Sequence, residues 1–137
     1  AMSRIATVLG LALMAGPGSS APPSVSLRAE PRVSDAPARV VFTALLSGGE
    51  DGEELYCPDV EWAWGDGTRS VHEGSCPPYK VGETAVQREF TVQHEYTRPA
   101  RPRVSVILRK GKRTLGRGSV NVIIARKGPS AAYGKWR

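Results

Sequence analysis

From Arg98 to Arg137 the chain has no aspartate and no glutamate, although this stretch carries 12 lysines and arginines. All 13 acidic residues lie at or before Glu95. The net charge of +6 therefore averages two unlike parts: residues 22–97 hold six basic against 13 acidic residues, and every charge in residues 98–137 is basic. Histidine is sparse, with only His72 and His94, and so is cysteine, with only Cys57 and Cys76. A tetrahedral zinc site built on the two cysteines would need both histidines, and no CxxC spacing is present. Gly-x-Ser-x-Gly, His-Glu-x-x-His and paired Cys/His signatures are also missing, so no known nucleophilic or metalloprotease pattern is on offer. No apolar run reaches the roughly 20 residues of a membrane-spanning helix. No long amphipathic period is found either. At 137 residues there is room for one domain. A composition 40% hydrophobic and 23% charged excludes a wholly disordered chain.

What is present begins with an address. Met2-Ser3-Arg4 is a short positive segment, Ile5–Ala15 is apolar, and Gly16-Pro17-Gly18-Ser19-Ser20-Ala21 is a run of small, helix-breaking residues. This three-part form predicts a secretory signal peptide over residues 1–21, cleaved near Ser20 or Ala21; a buried N-terminal helix is the alternative. No cysteine follows the apolar segment to take a lipid, so the expected product is a secreted or periplasmic protein without a transmembrane segment. In an oxidising compartment Cys57 and Cys76 can join and close a loop of about 20 residues. A metal site and a catalytic thiol remain the alternatives.

Between residues 22 and 125 the pattern is that of strands. Val25-Ser26-Leu27 alternates; Val40, Phe42 and Ala44 share a face; Val60, Trp62 and Trp64 alternate up to Gly65-Asp66-Gly67. Phe90, Val92, His94 and Tyr96 share another face, as do Val104, Val106 and Leu108, and then Val120, Val122 and Ile124. Period-two runs of β-branched and aromatic residues, punctuated by Gly and Pro, predict an all-β, two-sheet antiparallel sandwich of about seven strands. Residues 48–55 form an acidic loop, residues 69–86 a long connection, and Arg109-Lys110-Gly111-Lys112-Arg113 a hairpin turn. Residues 126–137 have no strand period and are expected to form a flexible basic tail.

Two motifs give this outline a family likeness. Trp62-Ala63-Trp64-Gly65-Asp66-Gly67-Thr68 resembles the Trp-Asp-Phe-Gly-Asp-Gly-Thr hallmark of the PKD (polycystic kidney disease) domain. Phe90-Thr91-Val92-Gln93-His94-Glu95-Tyr96, followed by Pro99, resembles the family's His-x-Tyr segment, and Val40-Val41-Phe42-Thr43-Ala44 its second strand. Ala63 and Trp64 stand where Asp and Phe are usual, Pro99-Ala100-Arg101 stands where Pro-Gly-x-Tyr is common, and the connection holding Cys76 is longer than typical. The resemblance spans about residues 25–125 and implies an immunoglobulin-like sandwich. It further implies a non-catalytic extracellular module that contacts protein or carbohydrate, with no cofactor.

Read physically, Gly65-Asp66-Gly67 is turn chemistry, the glycines supplying positive φ and Asp66 accepting backbone N–H bonds; a calcium ligand or general base is the rival role. His94 and Tyr96 share the inward parity of Phe90 and Val92. His94 is expected as a hydrogen-bonded core histidine and Tyr96 as a corner residue bonding backbone. Trp62 is expected as the main core aromatic, with Trp64 partly exposed near the disulfide. Asp59 and Glu61 alternate with core positions and are expected in solvent. His72, beside Glu73 and near Ser70 and Ser75, lacks the orienting third group of a triad. Glu50, Asp51, Glu53, Glu54 and Asp59 could gather oxygens for calcium, though their spacing fits no defined calcium loop.

The basic third allows a sharper reading. Arg109, Lys110, Lys112, Arg113 and Arg117 are expected to gather at one end of the sandwich, with Arg126, Lys127, Lys135, Arg137, Tyr133 and Trp136 in the tail beyond. Such a pole attracts anionic polymers, anionic lipid or acidic proteins, in a salt-dependent way. Export argues against nucleic acid. The bland alternative is a solubilising edge partly paired with the chain's own acidic loop.

Overall fold

The computed structural model describes residues 21–127. The expected signal segment, Ala21 apart, and residues 128–137 of the expected tail lie outside them. Nine strands follow in chain order: β1 (Ser24–Glu30), β2 (Val33–Asp35), β3 (Ala38–Ser47), β4 (Asp59–Ala63), β5 (Arg69–His72), β6 (Glu89–Tyr96), β7 (Arg103–Lys110), β8 (Arg113–Asn121) and β9 (Ile123–Ala125). A single 3-10 turn, Glu53–Leu55, interrupts the acidic loop. Among the described residues no helix is long and apolar enough to cross a membrane.

Alternation sets the layers. Along β3, Ala38, Val40, Phe42, Ala44 and Leu46 point inward and every second residue outward. β7 does the same with Val104, Val106 and Leu108, and β4 with Val60 and Trp62. Two antiparallel sheets, β1-β3-β6 and β5-β4-β7-β8, press these inward residues together, and a short parallel pair, β2-β9, makes a third small sheet. The result is an all-β, immunoglobulin-like sandwich.

Its two long sides differ. On one, β1 crosses close to β8, where Gly116 and Gly118 lie under it. A Cβ at Gly118 would stand 2.9 Å from the Val25 carbonyl oxygen, and one at Gly116 2.8 Å from a Val25 methyl. On the other, β5 and β6 leave a cleft of about 150 Å³ lined by residues that include Val60, Trp62, His72, Phe90 and Val92.

Several expectations need correction. Trp64 is not partly exposed: it is 2% exposed, because the inward alternation of β4 runs one step past Ala63 before the turn begins. β5 occupies the first residues of the expected 69–86 connection; it is a short strand at a sheet edge, with Val71 exposed and no apolar period to announce it. β2 is three residues between prolines, and β9 is split from β8 at Val122, so nine strands replace about seven. The hairpin turn is tighter than expected, since Arg109 and Lys110 belong to β7 and Arg113 to β8. Asp59 and Glu61 do point outward but are half-buried.

Candidate functional site

The Gly-Asp-Gly turn is built where β4 must leave the core. Trp64 N–H donates to the Thr68 carbonyl at 3.1 Å, closing the loop. Gly65 has φ +80°, and a Cβ there would lie 2.7 Å from that of Pro102, so conformation and space both require glycine. Asp66 Oδ1 accepts from the Thr68 amide at 3.0 Å and from its hydroxyl, while Oδ2 meets His94 Nε2 at 2.8 Å. Burial raises the Asp66 pKa, but hydrogen bonds from Thr68 and His94, with the charge of His94, outweigh it and hold the carboxyl below its ordinary range.

An aromatic column stands behind this turn. His94 stacks on Trp64 with ring centroids 4.3 Å apart, and Trp64 stacks on Trp62 at 5.2 Å. Tyr96 meets the His94 ring edge-on, and its hydroxyl donates to the Trp64 carbonyl at 2.7 Å. Burial, helped by the negative charge of Asp66, raises the Tyr96 pKa well above the ordinary phenol value. Trp64 Nε1 donates to Ser70 Oγ at 2.9 Å, linking the column to β5. The turn, the His-x-Tyr segment and both tryptophans therefore form one cluster that ties β4 to β6 across the two sheets.

Cys57 and Cys76 are joined, with Cα atoms 6.2 Å apart. Nearby, the Gly74 amide donates to Asp59 Oδ1 at 2.8 Å and the Tyr56 hydroxyl to the Pro77 carbonyl at 2.6 Å. A Cβ at Gly74 would strike the Cys57 carbonyl oxygen, at 2.3 Å. The segment after β5 is therefore fastened to the start of β4 at three points.

No family model matches the chain, and no curated protein matches it. A solved structure, the PKD domain of an M14-like peptidase from Thermoplasmatales archaeon SCGC AB-540-F20, superposes with a TM-score of 0.55 over 79% of this chain and 100% of that one. Sequence identity is 14%, so the likeness is one of fold. The chain has a PKD-like fold. The disulfide fits an oxidising compartment.

The PKD-like framework engages several of the basic residues. Arg109 Nε donates to Glu61 Oε2 at 2.8 Å, and Arg69 meets the other oxygen of Glu61 at 3.5 Å. Lys110 turns to the Tyr56 carbonyl, and Arg113 pairs with Glu54 at 3.3 Å. Lys112 sits exposed at the turn beside Gly111, and Arg117 lies mid-strand on the outer face of the four-stranded sheet. Four of the five lie at the hairpin end, whereas antiparallel pairing carries Arg117 opposite Ile107, away from the turn.

Acidic groups in the loop are similarly engaged. Asp51 is gripped by Arg88, whose guanidinium also donates to the Gly48 carbonyl at 2.6 Å. No group of three or more His, Cys, Asp or Glu side chains among the described residues is arranged to hold a metal ion. His72 ends β5, exposed along the open cleft, while Ser70 accepts from Trp64. Sequence reasoning missed Arg88 altogether. It lies 37 residues from Asp51, in a stretch without a motif, so no local signal marks it.

Proposed function

We propose that the chain is a non-catalytic binding or scaffolding module, exported after removal of its first residues and contacting protein or carbohydrate at the cell envelope. One observation carries this: the residues best suited to chemistry are bonded to one another as framework. Asp66 is bonded to Thr68 and His94, His94 is stacked under Trp64, and the Tyr96 hydroxyl is buried on a backbone carbonyl. The PKD-like fold, the disulfide and the N-terminal segment support an extracellular setting. The test is capture of envelope fractions on the immobilised chain at low and high salt, with D66A as the probe of the motif. If D66A stays folded and keeps its ligand, the motif is framework; selective loss of binding by folded D66A would reassign Asp66 to the site.

A second reading is favoured by the absence of any acidic residue after Glu95. Here the partner is an anionic polymer or anionic membrane surface, met through Arg109, Lys110, Lys112, Arg113, Arg117 and the basic tail. Capture that vanishes at high salt supports it; capture that persists supports a partner held by uncharged contacts.

A further inference from the structure

The outer face of the four-stranded sheet is framed by arginine. Strand parity brings Arg69, Arg103, Arg109 and Arg117 to it, with Asp59 and Glu61 as its acidic residues. No lysine and no aromatic residue stands on this face. Glu61 lies between Arg69 and Arg109 and, together with Asp59 opposite Arg109, balances the charge of that half. The other half is different. Arg103 and Arg117 have no ion pair among the described residues. They flank a shallow depression of about 250 Å³ whose remaining lining is Ser105, Ile107, Gly118 and Ser119. The Arg103 guanidinium is held over it by a 3.0 Å hydrogen bond to Ser119 Oγ. Across the sandwich the outer face of β1-β3-β6 offers Arg28 and Arg39 against Glu30, Glu89 and Glu95. An anionic partner is thus drawn to one face and repelled from the other.

We propose that this depression holds a carboxylate- or sulfate-bearing polysaccharide. The proposal deepens the anionic reading above and moves its contact from the hairpin tip to the sheet face. Arginine rather than lysine suits forked bonding to planar or tetrahedral oxyanions. The serine hydroxyls and the exposed Asn121 beside Arg103 match the hydroxyls of a sugar chain. The face lacks the aromatic platforms on which bases stack and the aromatic anchors that dominate protein interfaces. From Arg103 to Ile107 the depression runs roughly 13 Å along β7, at about 3.3 Å per residue, which suits a stretch of a linear chain rather than a single small anion.

The test uses the full chain with polygalacturonate and heparin as probes, titrated over a salt series. R103S/R117S is compared with K112S/R113S, which removes the same charge at the hairpin tip. The expected result is about a tenfold loss for the face variant, with a salt dependence lower by about two released ions, and little change for the tip variant. R103K/R117K keeps the charge and is expected to keep the salt dependence while losing affinity; it also gives the readout should R103S/R117S melt lower than the parent. Equal losses at face and tip would overturn the site in favour of net charge alone. Loss at the tip only would overturn the site and leave the hairpin reading standing. No binding of either polymer by the parent would overturn the polysaccharide site, and no binding of phosphatidylglycerol vesicles besides would overturn the anionic reading with it. Equally tight binding of poly-glutamate, duplex DNA or phosphatidylglycerol vesicles would overturn the polysaccharide assignment.

Discussion

At the scale of single residues, charge is used to hold loops. Asp66 accepts three hydrogen bonds with two oxygens, and its carboxyl pKa lies below the ordinary 3.8. A depressed carboxyl stabilises fully above its unfolded value and loses that contribution as the pH falls through the folded one. D66A is therefore expected to cost about 2 kcal/mol at neutral pH, and the gap to the parent should narrow below pH about 4, as followed by urea unfolding. Arg88 is the counterpart in the acidic loop. R88A releases the Gly48 carbonyl and Asp51, with an expected loss of about 2 kcal/mol; R88K keeps the charge but not the fork and should recover less than half in the same assay. Of these two residues the sequence announced one. Asp66 sits in a motif whose glycines declare a turn, whereas Arg88 acts through partners some 40 positions away that nothing local connects to it.

At the scale of elements, β3, β4 and β7 were readable because each buries one face and exposes the other. β2 and β5 were not, since a strand of three or four residues at an edge has too few positions to show a period, and β9 was read only as the end of one strand with Val120 and Val122. The first part of β8 hid for another reason. Its Thr-Leu-Gly-Arg-Gly-Ser run looks like turn sequence, yet its glycines are there to admit β1. G118A pushes a methyl against the backbone of Val25 to Leu27 and is expected to cost about 1–3 kcal/mol, measurable as a lower denaturation midpoint. The disulfide acts on the opposite long side, between β4 and the segment after β5. C57S/C76S should lose about 3 kcal/mol in the chain-entropy account, and thiol titration of the unreduced parent should find no free thiol. Two reactive thiols would remove that bridge.

For the molecule as a whole, the division of charge along the chain was plain in the sequence, but its destination was not. Folding turns a difference between early and late residues into a difference between two sheet faces, because β7 and β8 pair with β4 and β5 while the acid-bearing β6 joins the other sheet. Part of the basic third is also answered internally, by Glu54 and Glu61, and which lysine or arginine finds such a partner depends on register that composition does not encode. The Gly-Asp-Gly and His-x-Tyr motifs, by contrast, were legible together, since their residue types restrict backbone and hydrogen bonding wherever they occur.

The unequal long sides of the sandwich give it the mechanics of a bound book. Where β1 crosses β8 without room for a methyl group, the covers share a spine. Along β5 and β6 they meet at a fore-edge with Trp62 just inside. The tightest approach of the two covers is at the spine, and the open space between them is at the fore-edge. Across that margin the Trp62–Trp64–His94 column stitches one cover to the other, while the Cys57–Cys76 bridge fastens the segment after β5 to the start of β4 on a single cover. The arginine-framed cover therefore ends on the bound edge, where β8 lies under β1, and not at the fore-edge.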